Sequence, residues 1–378
     1  MHTPTIMVVL GNRPQFIKHA AFQRAWDARA PHVRLEVVDT GQHYNYELAG
    51  IFLDELKIAS PSHSLGVGSA SHAEQLARML VPLEELMRAS RPTSVVVYGD
   101  TNSTLGGALA AAKLNIPVAH VEAGLRSYDM RMPEELNRVL VDHASSLLYC
   151  PTEAAVANLT REGIAGEHVH LVGDVMADIA LAVAPLADDQ WKRLSTQLDL
   201  PAREAFALCT IHRAANTEPD ALREIIACLE AVDMPVVMPV HPRTEALAVA
   251  AGVHVDLASI PNVRLLPPLG YVDLAACVRA AACVLTDSGG LQKEAYIHGT
   301  PCITMRDTTE WTETVDTGLN ILVGRDPAAL NAAIDRATGS EIAGLIDERP
   351  QLYGDGTSAE QIVDSLLEHA EHASHFAL

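Results

Sequence analysis

Short apolar runs alternate with helix-like segments along the whole chain. In the first half, apolar and β-branched runs cover residues 5–10, 35–40, 147–150 and 168–172, with two more between 95 and 122. The segments between them are Ala-rich or carry apolar residues at helical spacing, as at 72–88. Buried strands that alternate with helices are typical of a parallel sheet covered on both faces. The pattern therefore predicts a doubly wound α/β domain.

The same alternation starts again after a polar, Pro-flanked segment at 188–201. Its apolar runs cover residues 206–211, 236–240, 263–266, 283–286, 302–305 and 321–323. We therefore expect a second domain of the same class, with the two Rossmann-like domains facing a central cleft. The first domain is expected to span 1–173 and the second 174–357.

The last segment of the chain reads as a terminal helix. Ser358 and Gln361 stand at capping-box spacing, and Ile362, Leu366 and Ala370 follow at helical intervals. In two-domain folds of this kind such a helix often crosses back, so residues 358–378 are assigned to the first domain.

Composition limits the classes of function. Of the 378 residues 48% are hydrophobic, yet no apolar run reaches the roughly 18 residues needed to span a bilayer, and no signal segment precedes the first strand. The net charge of −21 and the lack of a Lys/Arg cluster argue against a nucleic-acid partner. The six cysteines form neither a CxxC pair nor a disulfide framework. These features predict a soluble, cytoplasmic protein.

Acidic residues follow two strands and enter a loop in the first domain. Asp100 ends one apolar run, Glu122 ends the next, and Glu134 lies in the loop beyond. Ligands of an open parallel sheet bind at the carboxyl ends of its strands, and carboxylates are costly to bury there without a purpose. Their convergence suggests proton transfer. The alternative is that they are helix N-terminal acids or ion-pair partners of Arg126 and Arg138.

A glycine turn in the second domain is a candidate phosphate site. Ser288, Gly289 and Gly290 follow a predicted strand and open a helix, so backbone N–H groups there can approach an anion. Glu294 lies one turn further along and is a candidate for binding a ribose diol. The alternative is an ordinary capped helix with a solvated Glu in its first turn.

Basic and polar residues follow other strands in the same way. Arg13 and Lys18 flank the first strand-to-helix turn, where a guanidinium suits a diphosphate, although a surface salt bridge is the simpler alternative. Gln42 and His43 follow the second strand.

In the second domain His212 and Arg213 end a buried run, which is harder to explain by packing alone and favours function. His241 sits similarly, with weaker support.

Taken together, the motifs resemble the non-hydrolysing UDP-N-acetylglucosamine 2-epimerase family. They span nearly the whole chain in order: GNRPQFIK, TGQH, YGDTNSTLGGALAA, HVEAGLRS, MPEELNR, PTE, VGDVMAD, IHRAANTE, PVHPRT, LTDSGGLQKEA, MRDTTEWTE and YGDG. The resemblance implies the two-domain GT-B architecture, a UDP-sugar ligand and usually a homodimer. It also implies inversion at carbon 2 by elimination and re-addition of UDP, with no metal and no redox cofactor.

The resemblance also implies roles for individual residues. Asp100, Glu122 and Glu134 would be the acid/base carboxylates, and His212 would assist the departing UDP. The residues implied to bind the UDP-sugar are Arg13, Lys18, Arg138, Arg213, His241, Ser288, Gly289, Gly290 and Glu294. Some bacterial members carry a regulatory substrate site, for which Gln42 and His43 are the candidates.

Several segments depart from the common family pattern. The chain has GNRPQF and HRAAN where the usual forms are GTRPE and HRREN, and the loop SYDMRMPEE before Glu134 is short. These features resemble the branch that acts on UDP-2,3-diacetamido-2,3-dideoxyglucuronic acid. UDP-N-acetylglucosamine is the leading substrate, and that uronic acid is the runner-up. A GT-B glycosyltransferase and a non-catalytic nucleotide-sugar-binding protein are the alternatives from other classes.

Overall fold

The computed structural model describes residues 4–42, 55–240, 242–250, 252 and 254–376. The chain forms two compact units, of which one comprises Met1–Ile179 with Leu352–Leu378 and the other comprises Ala180–Gln351. Within the described part of the chain, no helix is both long enough and apolar enough to cross a lipid bilayer.

The first unit is built on a parallel sheet. Its strands are β1 (Thr5–Leu10), β2 (Arg34–Asp39), β3 (His63–Ser64), β4 (Ser94–Tyr98), β5 (Val118–Val121), β6 (Leu147–Cys150) and β7 (Val169–Leu171). Their order in the sheet is β3-β2-β1-β4-β5-β6-β7, and every pair is parallel. The order reverses between β1 and β4, so this is the point where a doubly wound sheet opens a crevice at its carboxyl edge.

Helices connect these strands in the manner of βαβ units. They are α1 (Arg13–Arg29), α2 (His72–Ser90), α3 (Asn102–Lys113), α4 (Pro133–Ala144) and α5 (Glu153–Arg161), followed by α6 (Val175–Gln197). The central strands β1, β4 and β5 are buried along their whole length, because helices cover both faces of the sheet. Met79, Leu83 and Met87 of α2 supply one side of this core.

The second unit repeats the design. Its strands are β8 (Ala207–Thr210), β9 (Val236–Pro239), β10 (Val263–Leu266), β11 (Cys283–Thr286), β12 (Cys302–Thr304) and β13 (Asn320–Leu322). The sheet order is β10-β9-β8-β11-β12-β13, again parallel throughout. Here the order reverses between β8 and β11, which places the expected ligand edge at the ends of those two strands.

The helices of the second unit lie between its strands. They are α7 (Ala214–Thr217), α8 (Pro219–Glu230), α9 (Pro242–Ala250), α10 (His254–Ser259), α11 (Tyr271–Ala280), α12 (Gly289–His298), α13 (Thr312–Asp316), α14 (Pro327–Ala337) and α15 (Ile342–Asp347). The prediction of two parallel, doubly wound α/β domains is confirmed. The polar segment at 188–201 includes the last ten residues of α6, which the apolar pattern did not reveal.

The terminal helix α16 (Ser358–Phe376) packs on α1 of the first unit. Arg29 of α1 forms ion pairs with Glu360 and Asp364. The expected capping box from Ser358 to Gln361 is wrong, because Ser358 is itself the first helical residue. The backbone N–H groups of Ser358 and Ala359 donate instead to the buried carboxylate of Asp178, at 3.2 and 2.6 Å.

Candidate active site

Asp100 follows β4 at the reversal point of the first sheet. Its carboxylate forms an ion pair with Arg138 of α4, whose side chain is 14% exposed. The amide of Asn137, on the same helix, donates to the backbone carbonyl of Asp100 at 2.9 Å. Asp100 is therefore fixed at its side chain and at its main chain by α4, while its carboxylate keeps some exposure to solvent.

Glu122 follows the next strand, β5, and pairs with Lys18 of α1. Both side chains are about nine-tenths buried. Glu122 has a φ of +69°, which is a costly conformation for a residue with a Cβ and is often found at functional sites. An added Cβ at Gly99 would lie 3.1 Å from Oε2 of Glu122 and 3.3 Å from Nζ of Lys18, so a glycine is needed for this close approach.

Glu134 and Glu135 occupy the first turn of α4 with opposite exposures. Glu134 is exposed, whereas Glu135 is buried and accepts hydrogen bonds from the backbone N–H groups of Ser127 and Tyr128, at 2.9 and 2.8 Å. Glu135 also pairs with Arg138 at 2.9 Å. Glu135, which was not among the residues predicted from the sequence, thus connects the loop before α4 to Arg138, the cation beside Asp100.

A buried polar network lies behind these carboxylates. His120 of β5 has Nδ1 2.7 Å from Oδ1 of Asp142 and Nε2 2.7 Å from the carbonyl oxygen of Gly99. The other oxygen of Asp142 accepts from Arg126 at 2.7 Å, and Arg126 makes a bidentate pair with Glu162. Burial favours the neutral acid, but His120 and Arg126 outweigh it, so the pKa of Asp142 lies below its usual value.

Two glutamines brace the same edge. Gln15 of α1 accepts from Gly11 N–H at 2.8 Å and donates to the carbonyl of Tyr98 at 2.8 Å, which joins the ends of β1 and β4. Gln42 accepts from the backbone and hydroxyl of Ser103, at 3.1 and 2.7 Å. Gln15 was not selected from the sequence, although it stands in the GNRPQF turn.

In the second unit, Asp287 organises the end of β11. Its carboxylate is fully buried and accepts from the backbone N–H groups of His212 and Arg213 and from the amide of Asn216, at 3.0–3.2 Å. These bonds hold the turn after β8 against the turn after β11. The ring of His212 is left exposed at this edge.

The turn after Asp287 caps α12. Ser288 accepts from the N–H of Leu291 at 3.4 Å, and Gly289 and Gly290 are the first two helical residues. A Cβ on Gly289 would lie only 2.2 Å from Oε1 of Glu310, whereas a Cβ on Gly290 would meet nothing nearer than the Ser288 hydroxyl at 3.9 Å. The space above Gly290 is therefore open at a helix N-terminus, where anions are favoured.

Cations gather around Glu310 beside this turn. Arg213 and Arg306 each approach a different oxygen of Glu310 at 2.9 Å. Burial raises the pKa of the Glu310 carboxyl, but the two guanidinium groups outweigh it and bring it below the usual value. Nearby, the ammonium of Lys293 lies 4.2 Å from the ring centroid of Trp311.

The remaining residues predicted from the sequence are Arg13, Glu294, His43 and His241. Arg13 is the first residue of α1 and is partly exposed, and Glu294 lies buried in α12. His43 and His241 lie outside the described residues. In the part of the chain that is described, no three His, Cys, Asp or Glu side chains are grouped so as to hold a metal ion.

The two units present side chains suited to two different kinds of chemistry. The first unit presents carboxylates beside cations, which suits proton transfer. The second unit presents a glycine-rich helix N-terminus with two arginines, which suits a phosphate or diphosphate.

Comparison with known proteins connects these features. The family profile described as UDP-N-acetylglucosamine 2-epimerase matches residues 27–367. The chain is 40% identical to the UDP-2,3-diacetamido-2,3-dideoxy-D-glucuronate 2-epimerase of Pseudomonas aeruginosa, over 96% of this chain and 99% of that protein.

A second relative is similar in sequence and also in its crystal structure. The chain is 38% identical to the UDP-N-acetylglucosamine 2-epimerase of Methanocaldococcus jannaschii, over 95% of this chain and 97% of that protein. A crystal structure of the M. jannaschii UDP-GlcNAc 2-epimerase, in complex with UDP-GlcNAc and UDP, superposes with a TM-score of 0.86 at 37% identity, covering 96% of this chain and 99% of the other. With the profile covering most of both units, the chain belongs to the UDP-N-acetylglucosamine 2-epimerase family.

Proposed function

We propose that the protein inverts carbon 2 of a UDP-N-acetylhexosamine, converting UDP-N-acetylglucosamine to UDP-N-acetylmannosamine. The observation that carries this proposal is the pair of carboxylates, Asp100 and Glu122, which follow the neighbouring strands β4 and β5 and each have a largely buried cation as partner. Inversion needs one group to remove the carbon 2 proton and another to return a proton on the opposite face. Family membership supports the same reaction.

The reaction balances without an external reagent. One carboxylate takes the proton from carbon 2, and the C–H electron pair becomes the double bond of a 2-acetamidoglucal. The bond from carbon 1 to the diphosphate oxygen breaks, and UDP leaves with that electron pair. A diphosphate oxygen then attacks carbon 1 while carbon 2 takes a proton on the opposite face. Because substrate and product are isomers, no electron acceptor is consumed.

Acid/base roles are proposed for Asp100, Glu122 and Glu134. Lys18 and Arg138 orient Glu122 and Asp100 respectively, because each cation is held largely out of solvent beside its partner. The exposed Glu134 in the first turn of α4 is accessible to a ligand.

The UDP group is proposed to bind at the N-terminus of α12. The turn at Ser288, through the N–H groups of Gly289 and Gly290, would hold the diphosphate together with the guanidinium of Arg213, and His212 would assist its departure. Glu294 would bind the ribose. Supporting contacts are proposed for Arg13 and His241.

A second substrate is favoured by one specific finding. The P. aeruginosa relative, which acts by its name on the diacetamido glucuronate, is as similar in sequence as the relatives named for UDP-N-acetylglucosamine. UDP-2,3-diacetamido-2,3-dideoxyglucuronic acid is therefore the alternative substrate of the same reaction. A GT-B glycosyltransferase would share the fold, but it has no use for two cation-paired carboxylates after adjacent strands.

Exchange in deuterated water tests the proposal. The protein is incubated with UDP-N-acetylglucosamine in D₂O without an acceptor and followed by proton NMR. Epimerisation replaces the carbon 2 proton with deuterium and yields the manno isomer. No exchange with this sugar but exchange with the diacetamido uronic acid moves the substrate to the alternative, and no exchange with either refutes the epimerase proposal.

Variants connect the activity to the named carboxylates. Asp100→Asn and Glu122→Gln should each reduce turnover by about 10²–10⁴-fold, the usual worth of a positioned acid or base, and still bind UDP in calorimetry. Asp364→Asn is the matched control, since it also removes an arginine-paired carboxylate in the same unit. Near-normal turnover in Asp100→Asn or Glu122→Gln removes that residue from the acid/base set.

We also propose that the enzyme acts as a homodimer in the cytoplasm. The six cysteines are all buried and unpaired, which fits a reducing compartment. Leu136 and Leu140 of α4 and Val81 of α2 are exposed apolar side chains of the first unit, which favours a second copy as their cover. Light scattering after size exclusion measures the mass, and a monomer at micromolar concentration refutes the dimer.

A further inference from the structure

The buried side chain of His120 touches the main chain that carries Asp100. Its Nε2 lies 2.7 Å from the carbonyl oxygen of Gly99, which belongs to the peptide bond between Gly99 and Asp100. The carbonyl of Asp100 itself accepts from Asn137. The peptide groups before and after Asp100 are thus each held by one side chain, and that of His120 is completely buried.

The hydrogen-bond partners define where the protons of His120 lie. A backbone carbonyl only accepts, so Nε2 must carry a hydrogen. Across the ring, Nδ1 faces Asp142, whose other oxygen already accepts from Gly124 N–H and Arg126. His120 and Arg126 thus share Asp142 as a partner, one at each carboxyl oxygen, and Arg126 also pairs with Glu162.

The conformation of Gly99 explains why such a clamp is needed. Gly99 has a φ of +64°, and its N–H donates to the carbonyl of Val121 at 2.9 Å. A glycine adopts many backbone conformations at similar energy, so the direction of the following peptide is not determined by the strand. The imidazole–carbonyl bond removes that freedom immediately before the carboxylate that is proposed to move a proton.

We propose that His120, held by Asp142, is a positioning residue that orients Asp100 for proton transfer through the Gly99 carbonyl. This inference rests on the proposed function, because it assigns a purpose to the location of Asp100. His120 does not contact the substrate in this account. It keeps the acid/base group within the narrow range of positions that proton transfer requires.

Two amide substitutions separate the two bonds of the imidazole. The side-chain nitrogen of asparagine reaches the position of Nδ1, and that of glutamine reaches the position of Nε2. His120→Gln therefore keeps a donor toward the Gly99 carbonyl and loses the contact with Asp142, whereas His120→Asn keeps the contact with Asp142 and loses the donor toward Gly99. The inference predicts that His120→Asn loses about 100-fold in kcat with KM within twofold, while His120→Gln loses less than about fivefold.

The melting temperatures of the two variants should fall in the opposite order to their kcat values. If His120 served only to stabilise the fold, both quantities would fall in the same order. His120→Gln removes one partner of the buried Asp142 and should melt at a lower temperature than His120→Asn. Exchange of the carbon 2 proton in D₂O, thermal melting and calorimetric binding of UDP are measured on wild type and both variants.

Each outcome decides one point. If kcat falls in the same order as the melting temperature, or if His120→Gln is as slow as His120→Asn, the role of His120 is refuted but the proposed function is not. A wild type without exchange on either UDP-sugar overturns the proposed function, and the role of His120 falls with it. Slow turnover in His120→Asn with unchanged UDP affinity and active His120→Gln supports the inference.

Discussion

The two adjacent glycines at the start of α12 should respond oppositely to alanine. In Gly289→Ala the new Cβ would lie 2.2 Å from Oε1 of Glu310 and 3.2 Å from Nε1 of Trp311. Glu310 must withdraw by about 1 Å to reach an ordinary contact distance, which strains its pairs with Arg213 and Arg306. Overpacking of this kind costs about 1–3 kcal/mol.

The higher helix propensity of alanine offsets part of this cost. Alanine in place of glycine within a helix stabilises by roughly 0.5–1 kcal/mol, so the net loss in Gly289→Ala should be up to about 2.5 kcal/mol. Gly290→Ala has no clash and should gain roughly 0.5–1 kcal/mol. For a unit of this size each kcal/mol moves the melting temperature by about 2–4 °C, so the two variants should melt on opposite sides of the wild type.

Binding of UDP should follow a different order. The methyl group of Gly290→Ala projects into the open space proposed for the diphosphate and should cost one charge-assisted hydrogen bond, about 1.5–3 kcal/mol. The Kd for UDP then rises about 10–100-fold, as calorimetry would measure. Gly344→Ala is the control, because Gly344 lies in α15 of the same unit and its Cβ would meet nothing within 4 Å.

Two results would refute this reasoning. Equal UDP affinity in Gly290→Ala and Gly344→Ala would show that the diphosphate does not lie on the N-terminus of α12. A Gly289→Ala protein that melts at or above the wild-type temperature would show that Glu310 does not constrain the turn.

Three further outcomes are expected. Burial lowers the pKa of His19 and His298 from 6.5 to about 4. The unfolded chain therefore binds protons at higher pH than the folded one, and the free energy of unfolding falls as pH drops from 6.5 toward 4. In His19→Gln the melting temperature should fall less over this pH range than in the wild type. Arg126→Leu should destabilise by about 3–5 kcal/mol, because the buried Asp142 loses one of its partners and Glu162 loses its bidentate pair, unlike Arg88→Leu at an exposed pair. Lys18→Met should lower kcat by about 100-fold or more without loss of UDP affinity, and an unchanged kcat would exclude Lys18 from the site.

The sequence predicted the strands well because burial on both faces leaves a direct trace in composition. The runs at 147–150 and 283–286 match β6 and β11 residue for residue, and every residue of these two strands is buried. The helix start at Ser288 was also predictable, since a serine and two glycines directly after a strand are typical of a capped helix N-terminus.

The pairing of charged side chains was not predictable in the same way. An alternative reading made Arg126 and Arg138 partners of the proposed acid/base carboxylates. Arg138 does pair with Asp100, whereas Arg126 pairs with Asp142 and Glu162. Periodicity shows which face of an element is buried, but it does not show which residue of another element lies opposite. His120 and Glu135 were therefore not predicted, since the role of each depends on residues that α4 or the loop before it places nearby.

The way the chain returns to its first unit has a consequence for the order of synthesis. The carboxylate of Asp178, near the start of α6, caps the helix that begins at Ser358, and Arg29 pairs with residues on that same helix. The segment between these elements is the entire second unit. A growing chain can therefore complete its second unit while the first still lacks a helix, so the half made first finishes folding last.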